Sequence, residues 1–153
     1  MRKLYIFDLD GTISLSGHRT HFLENKDDPH RWRNFYAAAK DDLPNPSIIR
    51  LLVNLLEAGC HIMIVTGRSD EVREETVAWL RRHIPVYQNY ETILYMRKEG
   101  DHQPDTTLKQ SWYNALPPSY KDDIVAVFED RGRVVTMWRG LGVACFQVAP
   151  GEF

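Results

Sequence analysis

Short apolar runs alternate with helical patterns along the chain. Five runs rich in strand-forming residues predict buried strands at residues 3–7, 62–65, 92–96, 124–128 and 143–148. Apolar residues at three-and-four spacing, with capping signals, predict helices at residues 48–56, 69–82, 105–117 and 133–140. Alternating strands and helices are typical of a parallel sheet covered on both faces. We therefore expect one α/β domain with a Rossmann-like, five-stranded parallel sheet.

A long segment, residues 14 to about 45, separates the first predicted strand from the first long helix. This is longer than the usual connection between a strand and a helix. The segment contains a predicted helix at residues 30–40 and ends in Leu43-Pro44-Asn45-Pro46. We interpret it as a small lid, inserted into a single domain that spans residues 1–153.

Polar residues directly follow four of the predicted strands. They are Asp8 and Asp10, then Thr66, Gly67 and Arg68, then Arg97 and Lys98, and finally Glu129, Asp130 and Arg131. The active sites of parallel sheets lie beyond the carboxyl ends of the strands, so we expect these side chains to meet. Two carboxylates as close as Asp8 and Asp10 repel each other unless a cation lies between them or one is protonated. Mg²⁺ prefers such oxygen ligands, and the predicted metal ligands are Asp8, Asp10 and Asp130.

The run Phe7-Asp8-Leu9-Asp10-Gly11-Thr12 resembles the first motif of the haloacid-dehalogenase (HAD) phosphatases. Val65-Thr66-Gly67-Arg68 resembles the second motif, Lys109 can serve as the third, and Glu129-Asp130 resembles the acidic fourth. The order of the motifs and their positions after strands also agree. The resemblance implies a HAD fold and a Mg²⁺-dependent phosphomonoesterase that acts through an aspartyl-phosphate.

The resemblance also implies a role for each motif residue. Asp8 would attack phosphorus as the nucleophile. Asp10 would protonate the leaving alkoxide, then deprotonate the attacking water, and would bind Mg²⁺ through its backbone carbonyl. Thr66 would donate a hydrogen bond to the phosphoryl oxygens, and Lys109 would neutralise the charge of Asp8 and of the phosphate. Asp130 would hold Mg²⁺ directly or through water.

Further features narrow the resemblance. The similarity to the 3′-phosphatase domain of phage polynucleotide kinase-phosphatase rests on residues 97–101, 133–139 and 142–153, the pair Asp105 and Lys109, and Arg19. It covers nearly the whole chain apart from the predicted lid. It implies a phosphorylated 3′ end of DNA or RNA as substrate, with a mononucleotide or another small phosphate ester as the alternative. The chain has no G-x-x-x-x-G-K-[ST] motif, so we expect any kinase or ligase to be a separate partner.

The narrower resemblance adds residues at the phosphate. It implies that Arg19, Arg68 and Asp105 are needed for activity, and an arginine fork can bind a phosphate through two hydrogen bonds. Asp105 precedes Lys109 by one helical turn, so it could orient that lysine or an arginine, cap the helix, or do both. Glu129 would be a second acid at the metal or a residue that supports the ligands. The predicted substrate contacts are Arg19, Thr66, Gly67, Arg68, Arg97 and Lys109.

The predicted lid carries the run Arg31-Trp32-Arg33-Asn34-Phe35-Tyr36. Surfaces that mix aromatic rings with cations can stack bases and hold backbone phosphates. An amphipathic helix with Trp32, Phe35 and Tyr36 packed inward explains the same pattern equally well. The sequence leaves both interpretations open.

Composition and charge limit the classes of protein to which the chain can belong. The chain has 153 residues and a formal net charge of −2, so a polyanion would have to be held by a local cluster of cations. No apolar run reaches the length of a membrane span, and the N-terminal residues do not resemble a signal peptide. We expect a cytoplasmic protein with no membrane contact, in which Cys60 and Cys145 are free, buried thiols. The contrasting hypothesis is a non-catalytic binding module; unchanged hydrolysis after Asp8→Asn would support it.

Overall fold

The computed structural model describes residues 2–152. Within them, the strands are β1 (Leu4–Phe7), β2 (Ser14–Leu15), β3 (Leu43–Pro44), β4 (His61–Ser69), β5 (Thr92–Arg97), β6 (Ile124–Glu129) and β7 (Cys145–Gln147). The α-helices are α1 (Arg31–Ala37), α2 (Pro46–Glu57), α3 (Arg73–His83), α4 (Asp105–Ala115), α5 (Pro118–Asp123) and α6 (Gly132–Gly140). Short 3₁₀ helices span Gly17–Leu23, Ala38–Asp41, Asp70–Val72 and Tyr87–Asn89.

Five of the strands form one parallel sheet in the order β5-β4-β1-β6-β7. Phe7, the last residue of the central strand β1, pairs with Ile64 of β4 and Phe128 of β6. The carboxyl ends of these three strands therefore meet at one edge of the sheet, and the residues after β1 lie in the middle of that edge. The predicted five-stranded parallel sheet is confirmed.

Successive residues of β1 pack into different hydrophobic clusters. Phe7 packs in a cluster with Leu52 of α2 and Trp79 of α3, and all three are buried. Ile6 packs in a second cluster with Trp138 of α6. Because successive side chains of a strand point to opposite faces, helices cover both faces of the sheet. This burial explains why the strands read as continuous apolar runs.

Some element boundaries differ from the predicted ones. β4 was predicted at residues 62–65 but continues to Ser69, and its pairing with β5 shifts register between Thr66 and Ser69. Such a bulge bends the strand and re-aims the side chains within it. The last strand is shorter than predicted, since only Cys145–Gln147 pairs with β6. The helix predicted to end at residue 117 ends at Ala115, and Pro118 begins α5, because its fixed φ suits the first turn of a helix.

Residues 14–45, the insertion segment, fold into several short elements. β2 pairs with β3 in antiparallel fashion, so the two ends of the segment lie side by side. The helix predicted at residues 30–40 divides into α1 and the 3₁₀ turn Ala38–Asp41. Trp79 Nε1 of α3 donates a hydrogen bond to Asp42 O at 2.9 Å, which ties the end of the segment to the main domain. Its action as a lid stays a prediction.

The structure also bears on the membrane and cysteine expectations. Across residues 2–152, every helix is too short or too polar to cross a membrane. Both cysteines are free thiols; Cys145 is buried and Cys60 is partly exposed.

Candidate active site

The carboxylate of Asp8 lies at the carboxyl end of β1 and is buried. Its backbone N–H donates to Phe128 O at 2.9 Å, which fixes the chain against β6 at this point. Lys109 reaches the site from α4, and its Nζ lies 2.6 Å from Asp8 Oδ1 and 2.8 Å from Glu129 Oε2. An ammonium group with almost no exposure to solvent therefore joins two buried carboxylates.

Asp8, Glu129 and Asp130 form a group of buried carboxylates, and one oxygen of each lies within 4.8 Å of one oxygen of each of the others. Burial and the neighbouring acids raise the pKa of Asp8 well above its usual range. Burial and Glu129 raise the pKa of Asp130 to about 7. Burial lowers the pKa of Lys109, but the charges of Asp8 and Glu129 outweigh it and hold that pKa above its usual range. One ammonium does not balance three carboxylates, so this donor set fits a hard divalent cation.

Gly11 brings the chain after β1 close to Asp130. Its φ of +85° lies in the left-handed region, which glycine adopts without steric cost. A Cβ at this position would also collide with the Asp130 carboxylate. The turn at Gly11 therefore redirects the chain and also leaves room for the acid of the neighbouring strand.

The carboxylate of Asp10 is neutralised by two arginines. Arg68 Nη2 lies 2.5 Å from Asp10 Oδ1, and Arg19 donates to the same oxygen. Burial raises the pKa of Asp10, but Arg68 and Arg19 outweigh it and hold the pKa below its usual range. The Asp10 side chain lies outside the acidic group, and its charge is balanced by the two arginines; a cation shared with the Asp8 carboxylate stays a prediction. Metal binding by its backbone carbonyl stays a prediction.

Asp42 holds the arginines that contact Asp10. Its buried carboxylate accepts from Arg19 Nε and Arg19 Nη2, each at 2.8 Å, and lies 3.5 Å from Arg68 Nη2. Arg19 has no exposed surface. In this conformation it braces Asp10, and its direct contact with a phosphate stays a prediction. Asp42 was not among the predicted site residues, because it does not follow a strand of the main sheet and no local pattern marks it.

Asp105 bridges two arginines at the start of α4. Arg97 Nη2 lies 2.5 Å from Asp105 Oδ1, and Arg131 Nη1 lies 2.8 Å from Asp105 Oδ2. Asp105 was expected to orient either Lys109 or an arginine, and its hydrogen bonds come from two arginines. The N-cap position is Pro104, and Asp105 is the first helical residue, so the predicted cap is wrong. Arg131 follows a strand of the sheet, but the sequence alone gave it no role.

The bulge at the end of β4 presents Thr66, Gly67 and Arg68 at the edge. The backbone N–H of Arg68 donates to Thr66 Oγ1 at 3.1 Å, and Thr66 Oγ1 lies 3.5 Å from Asp10 Oδ2. Gly67 O accepts from Arg97 Nε at 2.7 Å and from the Tyr36 hydroxyl at 3.3 Å. Arg97 is buried, and its guanidinium group donates to Gly67 O and to Asp105. In this conformation it supports the loop, and its contact with a substrate stays a prediction.

These contacts join the predicted site residues in three sets, which the chain segments 8–10 and 66–68 link into one group at the carboxyl edge of the sheet. The group comprises Asp8, Asp10, Arg19, Thr66, Gly67, Arg68, Arg97, Asp105, Lys109 and Asp130. It combines a lysine-paired carboxylate, an arginine-paired carboxylate and a cluster of oxygen ligands. Such a set can attack a phosphoryl group, move a proton and hold a metal ion.

The family described as "Polynucleotide kinase PNKP phosphatase domain" matches residues 2–153. The chain belongs to this family. The resemblance to the HAD phosphatases of the polynucleotide kinase-phosphatase type is thereby confirmed, and the chain is a phosphatase domain of this type.

Relatives of this PNKP-type phosphatase domain are larger proteins. A protein of Autographa californica nuclear polyhedrosis virus, assigned as a bifunctional polynucleotide kinase/RNA ligase, is 29% identical over 144 residues, which are 92% of this chain and 18% of the viral protein. A chain in the structure of the Pnkp1/Rnl/Hen1 RNA repair complex is 30% identical, with a TM-score of 0.77 over 100% of this chain and 44% of that chain. The chain thus spans less than half the length of either relative.

More distant structures share the fold of the PNKP-type domain. The class C acid phosphatase of Bacillus anthracis, solved with tungstate bound, has a TM-score of 0.63 at 16% identity, over 99% of this chain and 68% of that chain. The L-2-haloacid dehalogenase of Xanthobacter autotrophicus has a TM-score of 0.55 at 12% identity, over 97% of this chain and 78% of that chain. The five-stranded sheet with helices on both faces is accordingly a HAD fold.

Proposed function

We propose that this phosphatase removes the 3′-phosphate from polynucleotide ends, with Mg²⁺ as cofactor and an aspartyl-phosphate intermediate on Asp8. The observation that carries the proposal is the environment of Asp8. This carboxylate lies at the end of the central strand, 2.6 Å from a buried ammonium, and beside an arginine-paired acid. Membership of the PNKP phosphatase-domain family supports a polynucleotide end as the substrate.

The chain's own residues can carry the two steps. A carboxylate oxygen of Asp8 attacks phosphorus, the bond between phosphorus and the ester oxygen breaks, and Asp10 gives its proton to the leaving oxygen. Asp10 then takes a proton from water, the water oxygen attacks the same phosphorus, and the bond to Asp8 breaks to release phosphate. Asp10 in its arginine pair is held as an anion, the form that the second step needs. A bound phosphate would compete with Asp10 for Arg68, which favours the protonated form that the first step needs.

The acidic group and the backbone of the first motif would hold the cofactor. Asp8, Asp130 and the Asp10 carbonyl would supply the oxygens. Glu129 accepts from Lys109 at 2.8 Å and from the backbone N–H of Asp130 at 3.1 Å, so it supports its neighbours. When bound, Mg²⁺ supplies positive charge to the phosphoryl oxygens in a dry site.

Two further parts of the proposal concern the surroundings of the site. The insertion segment would act as a lid, since Tyr36 of α1 already contacts Gly67 at the site. Kinase or ligase activity would come from a separate partner or domain. A kinase/ligase relative and a chain in an RNA repair complex support this view.

Matched single-stranded oligonucleotides that carry a 3′- or a 5′-phosphate test the substrate, beside 3′- and 5′-mononucleotides. We expect Mg²⁺-dependent release of phosphate from the 3′-phosphorylated oligonucleotide at the highest kcat/KM. Much faster turnover of a mononucleotide would support the alternative of a small-ester phosphatase and overturn the polynucleotide substrate.

Asp8→Asn tests the chemistry in the same assay. We expect it to lower kcat by about a thousand-fold or more, because an amide cannot form the aspartyl-phosphate. Asp122→Asn, an exposed change on α5, serves as the control and should leave kcat unchanged. Unaltered hydrolysis by Asp8→Asn would exclude Asp8 as the nucleophile.

A further inference from the structure

Trp32 is a large aromatic side chain on α1 that stays open to solvent. It is 44% exposed, and no residue of α1 is fully buried. Phe35 and Tyr36 on the same helix are half-buried. The inward packing considered for all three rings therefore holds for Phe35 and Tyr36 but not for Trp32.

The half-buried rings of Phe35 and Tyr36 pack against the Trp32 ring. Its centroid lies 5.8 Å from that of Tyr36, with the two planes 30° apart, and 5.9 Å from that of Phe35 in an edge-on arrangement. Arg19 Cζ in turn lies 4.2 Å from the centroid of the Phe35 ring. An aromatic ring that is supported in this way loses little conformational entropy when a flat ligand stacks on it.

Both inner residues are joined to the active site. The Tyr36 hydroxyl donates to Gly67 O at 3.3 Å, and burial raises the pKa of Tyr36 to about 12, which keeps it a neutral donor. Arg19 Nη1 donates to Phe35 O at 3.2 Å, while the same guanidinium contacts Asp10. The Tyr36 ring thus connects the exposed ring of Trp32 to the backbone of Gly67 in the second motif.

We propose that Trp32 is a stacking platform for the base of the nucleotide whose phosphate lies at Asp8. The proposal rests on the proposed function and names the part of the substrate that the outer surface of α1 recognises. The net charge of −2 gives the protein no general attraction for a nucleic acid strand, so an apolar contact that is independent of charge is a suitable source of affinity. Stacking tolerates any base, because every base has a π-face.

Trp32→Ala and Trp32→Phe test the platform with three substrates. These are a 3′-phosphorylated oligonucleotide, the same oligonucleotide with an abasic 3′-terminal nucleotide, and p-nitrophenyl phosphate. We expect Trp32→Ala to lower kcat/KM on the first substrate by about ten-fold, chiefly through KM, which corresponds to one lost base stack. Activity on the abasic oligonucleotide should be unchanged, and Trp32→Phe should retain most of the preference for the base.

Tyr90→Ala is the matched control, because Tyr90 is an exposed aromatic residue that precedes β5, away from the carboxyl edge. It should leave the ratio of kcat/KM between the two oligonucleotides unchanged. An equal loss on all three substrates after Trp32→Ala would show a structural role and overturn the platform. So would an unchanged ratio between the oligonucleotides. If the parent protein hydrolyses p-nitrophenyl phosphate but neither oligonucleotide, the proposed function fails first, and the platform fails with it.

Discussion

Asp42 illustrates how one buried carboxylate can set the position of another carboxylate that it does not touch. It accepts two hydrogen bonds from Arg19 and one from His18, and its backbone oxygen accepts from Trp79. Arg19 then contacts Asp10. The position of Asp10 therefore depends on an acid at the far end of the insertion segment, and its charge is balanced by arginines that this acid holds in place.

Asp42→Asn tests this dependence. The amide keeps the size of the side chain but removes the charge that compensates the buried Arg19, and breaking such a pair typically costs about 3 kcal/mol of stability. We expect kcat to fall by about 10- to 100-fold, as for residues that orient a catalytic group, with a smaller change in KM. Steady-state kinetics and thermal unfolding check both effects. Asp41→Asn, an exposed neighbour, is the control, and a kcat equal to that of the control would show that Asp42 only stabilises the fold.

The pattern of strands and polar residues predicts only the site residues that directly follow strands, whereas Arg19, Asp105 and Lys109 were predicted from the resemblance to a family. Asp8 and Asp130 are positioned by their own strands, so the local pattern and the topology suffice to bring them together. Asp42 could not be predicted, because its place depends on the path of the insertion segment. The contact of Asp10 with two arginines was hidden for a similar reason, since Arg19 reaches it from that segment.

At the scale of elements, the end of β4 and the start of α4 approach closely at Gly67. A Cβ on Gly67 would lie 2.6 Å from Asp105 Oδ1, and that carboxylate is held by Arg97 and Arg131. The sequence located the strand but not its bulge, because the shift of register depends on pairing with β5. The glycine in the second motif thus allows the end of β4 to pack closely against the start of α4.

Gly67→Ala should disturb the site by displacing Asp105. Because two arginines fix the carboxylate, the strain cannot be relieved by a simple rotation, and we expect a loss of about 1–3 kcal/mol in stability, as for overpacking. The kcat should fall as well, since Arg97 braces the Gly67 carbonyl. Denaturant unfolding and steady-state kinetics provide the measurements. Gly140→Ala is the matched control, because a Cβ at Gly140 meets no atom within 4 Å; if both variants behave alike, the close approach has no energetic consequence.

At the scale of the whole molecule, the parallel sheet brings three carboxylates close together, and their negative charges repel one another. Asp8, Glu129 and Asp130 arrive from adjacent strands β1 and β6, and Lys109 supplies the nearby ammonium that joins Asp8 to Glu129. Burial, together with this repulsion, raises the pKa values of Asp8 and Asp130. In the absence of a cation, we therefore expect the acidic group to destabilise the fold, and we expect a bound cation to stabilise it.

Asp130→Asn separates these two effects. In EDTA, we expect the variant to melt at or above the temperature of the parent protein, because removal of one carboxylate relieves the repulsion among the acids. With saturating Mg²⁺, the parent should gain about 2–3 kcal/mol, or about 5–10 °C in Tm, whereas the variant should lose most of this gain. Asp122→Asn should keep the full gain, since it lies on the exposed surface of α5.

Equal Mg²⁺-dependent shifts in the parent and in Asp130→Asn, measured by calorimetry, would mean that the cation binds elsewhere. A variant that melts well below the parent in EDTA would show instead that Asp130 stabilises the metal-free fold, and that Lys109 already balances the acids around it.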